Sequence, residues 1–219
     1  VYYIGNLEMA KVSKEEITFY NLDGEEIQKK MKTVDWDAEA AEKAGFEHFM
    51  MKEIHEQPRA VKDTLNSVLK DGKFDLTDIG LAEEDIRRTS QIYIVACGSA
   101  YHVGMVAQYV IEDLVKIPVR VELASEFRYR KPILDPNGLV IIISQSGETA
   151  DSLAALRETK AQGIRTLGIV NVVGSSIARE ADKVFYTLAG PEISVATTKA
   201  YSTQPVSYTH LRAHETRHD

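Results

Sequence analysis

The sequence predicts an α/β protein: a doubly wound, five-stranded parallel sheet of flavodoxin-like order, preceded by a small β segment and a helical linker. Three observations predict it. From residue 91 onward, short apolar runs alternate with stretches of helical spacing, as in parallel strands joined by right-handed crossovers. The runs are continuous rather than alternating, as expected for strands buried on both faces. Two of them end in Gly/Ser turns that open a helix, at 97–99 and at 144–149.

Residues 1–30 read as strands, with Asp23-Gly24 between two short β-prone runs as the hairpin signal. Two or three strands of this length cannot bury a core alone, so the segment reads as the end of a larger domain. Residues 31–48 gather acidic side chains around Trp36 and read as a linker. Helical spacing returns at 49–55. Pro58 suits the first turn of a further helix carrying Val61, Leu65, Val68 and Leu69, which Asp71-Gly72 would stop. Residues 75–90 read as a polar connector. The five strands are then expected at 92–97, 119–123, 139–144, 165–171 and, more weakly, 183–187. Helices are expected from 99 to about 116, from 149 to 162 and through 175–180.

Composition bounds the function. The chain of 219 residues is 44% hydrophobic and 27% charged, a globular balance that excludes wholesale disorder and fibrous architecture. The net charge of −7 is uneven: residues 1–90 hold 20 Asp/Glu against 13 Lys/Arg, and residues 91–219 hold 13 of each. That step predicts a boundary near residue 90. Neither part has the basic excess that nucleic acid demands. No apolar run nears the ~18 residues of a membrane span, and no signal peptide is visible. The chain begins with Val1 rather than Met, so the native start is expected to lie upstream. A single cysteine, Cys97, excludes an internal disulfide and fits a reducing, cytoplasmic compartment.

In a doubly wound sheet, ligands bind beyond the carboxyl ends of the strands where the strand order reverses. For the order 2-1-3-4-5 that point lies between the first and third strands. Both end in small residues: Cys97-Gly98-Ser99, and Ser144-Gln145-Ser146-Gly147-Glu148-Thr149. Glycines let the backbone turn sharply, the first N–H groups of a helix attract anions, and Ser144, Ser146, Thr149 and Gln145 add polar groups. With no Lys or Arg in either turn, the pattern fits a monophosphate ester better than a nucleoside triphosphate. The same residues also serve as plain caps and turns, and Glu148 must then face away from the anion or pair elsewhere. Neither a Rossmann fingerprint, a P-loop nor a nucleophile elbow is present.

Four motifs in order carry a family resemblance: Ala96-Cys97-Gly98-Ser99, Glu-Leu-Ala-Ser-Glu-Phe-Arg-Tyr at 122–129, Ser-Gln-Ser-Gly-Glu-Thr-Ala at 144–150, and Glu-Ile-Ser-Val-Ala-Thr-Thr-Lys-Ala-Tyr at 192–201. Together they resemble the glutamine–fructose-6-phosphate aminotransferase (isomerizing) family over about residues 1–204. The resemblance implies that 1–30 end a glutaminase domain, that 31–90 link it onward, and that 91–204 form the first of two sugar-isomerase (SIS) domains. It implies a phosphate held by Ser144, Gln145, Ser146 and Thr149. The sugar would be lined by Cys97, Gly98 and Ser99, with Val195 and Thr197 in contact. Ala100 stands where the family has Ser. Lys199 is read as structural.

The resemblance also implies what this segment lacks: the N-terminal glutaminase cysteine, and the Glu, His and Lys of the isomerase chemistry. The segment is therefore expected to bind substrate without turning it over, with no cofactor or metal, and to form a homodimer in the intact enzyme. A stand-alone SIS module that senses a sugar phosphate is the alternative, disfavoured because its N-terminal segment would be basic. Residues 205–219 break the resemblance at Pro205 and read as foreign, poorly packed sequence. Their His210, His214 and His218 recur every four residues, but with no fourth ligand they make a weak metal motif.

Overall fold

A computed structural model describes residues 1–31, 33 and 42–208. The chain divides into two compact units, Val1–Ala40 and Ala41–Asp219. In the first, β1 (Met9–Val12), β2 (Ile17–Tyr20) and β3 (Glu26–Ile27) pair antiparallel in that order. The Asp-Gly hairpin joins β2 to β3, closed by the Gly24 N–H to Asn21 O (3.1 Å) and the Glu25 N–H to Asn21 Oδ1 (2.9 Å). Among the described residues of this unit only Phe19 is buried. So small a sheet has almost no core of its own.

The second unit opens with α1 (Phe49–Asn66), one unbroken helix where the sequence predicts a new start at Pro58. Pro58 has no N–H for the carbonyl four residues back. The Gln57 side-chain amide donates to that Ile54 oxygen instead, at 3.0 Å, so the helix continues. Asp71-Gly72 is a hairpin turn rather than a helix stop: it joins β4 (Leu69–Lys70) to β5 (Lys73–Phe74). Both turn residues have positive φ, +52° and +73°, as a two-residue hairpin of right-handed twist needs.

The expected connector at 75–90 holds a short 3-10 turn (Thr77–Ile79) and α2 (Glu83–Arg87). Arg165 ties it down through Asp85 O (2.6 Å) and Thr89 Oγ1 (3.1 Å). The charge step near residue 90 coincides with no break between compact units.

The core is a five-stranded sheet of β6 (Ile92–Ala96), β7 (Val119–Leu123), β8 (Leu139–Ser144), β9 (Arg165–Val170) and β10 (Lys183–Tyr186). All pairs are parallel, in the order β10-β9-β8-β6-β7. That is the predicted 2-1-3-4-5. Every residue of β6 and β8 is buried, which is why these strands read as unbroken apolar runs.

The two faces of β6 separate cleanly. Ile92, Ile94 and Ala96 pack with Val103, Ala107 and Ile111 of α3 (Gly98–Val115). Tyr93 and Val95 pack with Phe127 of α4 (Ala124–Arg130) and Leu156 of α5 (Ala150–Ala161). The helix after β6 and the helix after β8 therefore leave on opposite faces, and a crevice opens between their starts.

Helix α6 (Ser176–Glu180) follows β9, and α7 (Lys199–Thr203) packs on α1. The expected poorly packed tail does not begin at Pro205. Residues 206–208 are helical, and Tyr208 is 3% exposed within the α3 side of the core. An apolar ring with this much contact area is worth burying whatever precedes it. The histidine repeat at 210–218 lies outside the described residues. No helix among the described residues is long and apolar enough to cross a membrane.

Candidate functional site

Ser144 ends β8 and Thr149 precedes α5, so the turn between them sits at the carboxyl edge of the sheet. Its own hydroxyls shape it. Ser144 Oγ lies 2.9 Å from Thr149 Oγ1 and accepts the Gly147 N–H at 3.1 Å. Ser146 Oγ accepts the Glu148 N–H at 3.2 Å, which leaves the Ser146 proton free to donate elsewhere. Gly147 adopts φ +65° at the tightest point.

Because Thr149 turns its hydroxyl toward Ser144, the start of α5 has no side-chain cap, and Cys97 likewise leaves α3 uncapped. Helices of 12 and 18 residues thus both begin at this edge with their first N–H groups unanswered by a capping side chain. Such ends carry partial positive charge and attract anions.

Between the turns lies a cleft of about 280 Å³. All nine residues singled out from sequence line it: Cys97, Gly98, Ser99, Ser144, Gln145, Ser146, Thr149, Val195 and Thr197. Ala100 borders it as well, so the substituted hydroxyl position belongs to the cleft wall. No Lys or Arg is among the lining residues. Any anion here would be held by backbone amides and neutral side chains.

Three polar lining residues were not foreseen as contacts: Glu192, Ser194 and Gln204. Glu192 sits on the loop to α7. Its Oε2 accepts the Thr197 hydroxyl at 2.7 Å, and its Oε1 accepts the N–H groups of Thr198 (2.8 Å) and Ala200 (3.2 Å). Gln204 is 3% exposed, and its Oε1 has no hydrogen-bond partner among the described residues. The folded loop brings Glu192 and Ser194 to the cleft, and the end of α7 brings Gln204. Their signal in sequence is the 192–201 motif, which contains Glu192 and Ser194 and ends three residues before Gln204.

Glu148 faces away from the cleft. Its Oε1 accepts the Ser176 N–H at 2.7 Å and caps α6, whose own N-cap residue Ser175 makes no side-chain cap. Glu148→Ala is therefore expected to lower stability by about 1 kcal/mol and to leave ligand affinity unchanged. Urea denaturation and calorimetric titration of the same variant check both.

Lys199 is 2% exposed and pairs with Glu56 Oε2 at 2.6 Å across α1 and α7, a packing role. Cys97 is half-buried, and its sulfur accepts a long hydrogen bond from Ser152 Oγ at 3.8 Å.

A family model for the SIS domain matches residues 85–212. The glutamine–fructose-6-phosphate aminotransferase (isomerizing) of Clostridium acetobutylicum is 54% identical over 94% of this chain, which spans 34% of that relative's length. The solved C-terminal domain of glucosamine-fructose-6-phosphate aminotransferase from Francisella tularensis superposes with a TM-score of 0.75 at 46% identity. The match covers 78% of this chain and 48% of that one. Glucosamine-6-phosphate deaminase from Thermotoga maritima superposes at 0.63 with 26% identity, over 75% of this chain and 48% of its own.

Proposed function

The chain belongs to the SIS domain family, and from that we propose that its cleft binds fructose 6-phosphate. On this reading the chain supplies the sugar-phosphate half of the isomerase site in glutamine–fructose-6-phosphate aminotransferase. One observation carries the reading: the Gly/Ser turns of β6 and β8 meet on a single polar cleft into which two uncapped helices start.

The phosphate sits in the 144–149 turn, taking hydrogen bonds from the Ser146 hydroxyl, the Gln145 amide and the first amides of α5. Ser144 and Thr149 hold the turn in shape through their mutual hydrogen bond. The sugar chain runs toward Cys97, Gly98 and Ser99 of the opposite turn, with Val195 and Thr197 alongside. The intact enzyme uses ammonia from glutamine to make glucosamine 6-phosphate, which feeds UDP-N-acetylglucosamine synthesis in the cytoplasm.

We assign this segment binding rather than turnover. Residues 1–30 close the glutaminase domain, 31–90 lead onward, and 91–204 are the first SIS domain. Residues 205–219 follow, and of these 205–212 still fall within the SIS family match. A homodimer of the intact enzyme belongs to the same reading. Met105, Val106 and Tyr109, exposed along α3, offer the apolar surface it would cover.

Calorimetric titration of the chain tests the proposal. Fructose 6-phosphate is expected to bind saturably and to raise the unfolding midpoint with its concentration, whereas fructose is expected to do neither. Absence of binding at millimolar fructose 6-phosphate, or an equal response to fructose, overturns it.

A further inference from the structure

We infer that Glu53, on helix α1, is a positioning residue for the sugar end of the cleft; this rests on the function proposed above. The loop at 187–198 has no helix or strand, yet it carries Ser194, Val195 and Thr197 to the cleft. Val195 is fully exposed at 105%, so its own packing cannot fix where it stands. Glu192 holds the loop at 197–200, but the backbone at 193–194 is held from elsewhere.

Glu53 holds it. Its Oε1 accepts the Ile193 N–H at 2.6 Å and the Ser194 N–H at 3.2 Å, from 140 positions earlier in the chain. The carboxylate is 2% exposed. A carboxyl group taken so far from water is costly unless hydrogen bonds offset the loss; Oε1 has these two amides, immediately upstream of Val195, while Oε2 has no hydrogen-bond partner among the described residues. Helix α1 is itself anchored on α7 by Glu56 with Lys199 (2.6 Å) and by Gln57 with Ser202 (2.5 Å). The carboxylate therefore stands on a helix fixed to α7, the element into which the loop runs. The phosphate turn has a separate means of support, the Ser144, Gly147 and Thr149 bonds within it.

The two ends of the site should accordingly separate on mutation. Fructose 6-phosphate and inorganic phosphate are titrated calorimetrically into wild type, Glu53→Ala, Glu53→Asp and Glu53→Gln. Glu53→Ala is expected to weaken fructose 6-phosphate about tenfold and to leave inorganic phosphate within twofold. Glu53→Asp keeps the charge but draws the acceptor back by one methylene, so it is expected to weaken the sugar phosphate in the same way. It serves alone if the alanine variant does not fold. Glu53→Gln keeps an acceptor oxygen at full reach and is expected to stay within threefold of wild type for both ligands.

Equal losses for both ligands would mean a general structural role and overturn the inference. Unchanged sugar-phosphate affinity in Glu53→Asp would do so as well, as would a Glu53→Gln variant as weak as Glu53→Asp. Wild type that binds neither ligand would instead overturn the proposed function, and this inference with it.

Discussion

Gly147→Ala is expected to destabilise the protein by about 2–4 kcal/mol, from strain in left-handed backbone together with overpacking. The residue adopts φ +65°, and an added Cβ would stand 2.0 Å from Ser175 Oγ and 2.5 Å from Ser175 Cβ. Neither side can retreat. Ser175 is 3% exposed, the Ile177 N–H donates to Gly147 O at 3.0 Å, and Glu148 grips the Ser176 N–H on the same side. The 144–149 turn and the start of α6 are thus docked backbone to backbone.

Urea denaturation provides the measurement, and two companions locate the cause. Gly98→Ala occupies a similar backbone region, φ +57°, with nothing within 4 Å of the new carbon; it is expected to cost only about 1 kcal/mol. Adding Ser175→Gly to Gly147→Ala removes both clashing atoms and leaves Val170 Cγ1 at 3.4 Å, an ordinary contact. The double variant is expected to recover all but the backbone strain. A Gly147→Ala cost no larger than that of Gly98→Ala would refute the tight docking. Since the same displacement would open the turn, fructose 6-phosphate affinity is expected to fall along with stability.

Ser146→Asp is expected to weaken fructose 6-phosphate at least 100-fold while changing stability by less than about 0.5 kcal/mol. The cleft has one carboxylate, Glu192, and no cation among its lining residues. A second carboxylate in the turn would face the phosphate without compensation. At ~5 Å and an effective dielectric of about 20, each unit of like charge costs roughly 3 kcal/mol. Ser146→Ala removes one hydroxyl donor to a charged group, and about tenfold is expected. The order alanine before aspartate is the informative part, because a misplaced phosphate would make both variants neutral. Calorimetric affinities within threefold of wild type for Ser146→Asp would remove the anion from this turn.

How much of this was legible in the residues depends on whether the cause is local. The strands at 92–96 and 139–144 were legible because burial on both faces demands unbroken apolar runs. The hairpin at Asp23-Gly24 was legible from the turn chemistry. The same dipeptide at 71–72 was read as a helix stop, since both outcomes use positive φ and only the pairing of Leu69 with Phe74 decides between them. At Pro58 the missing N–H argues for a helix start, but a neighbouring glutamine answers the orphaned carbonyl, and no propensity scale anticipates that. Helix α4 was missed; its buried residues Ala124 and Phe127 lie one turn apart but give only a single helical repeat.

The sequence alone determined the chemistry available: two Gly/Ser turns at strand ends, free of cations, and a register of apolar residues that admits a doubly wound sheet. Those features are local, set by backbone sterics, helix-end amides and side-chain burial within a few residues. The tertiary structure decided which groups share one space. It brought the 192–198 loop to the turns of β6 and β8 and aimed Glu148 at α6. It also set Glu53 beneath a loop 140 residues distant and buried Tyr208 beyond the expected end of the domain. Contacts of that range depend on how helices seat against the sheet, and a carboxylate on an amphipathic helix looks the same in sequence whether it meets water or a pair of buried amides.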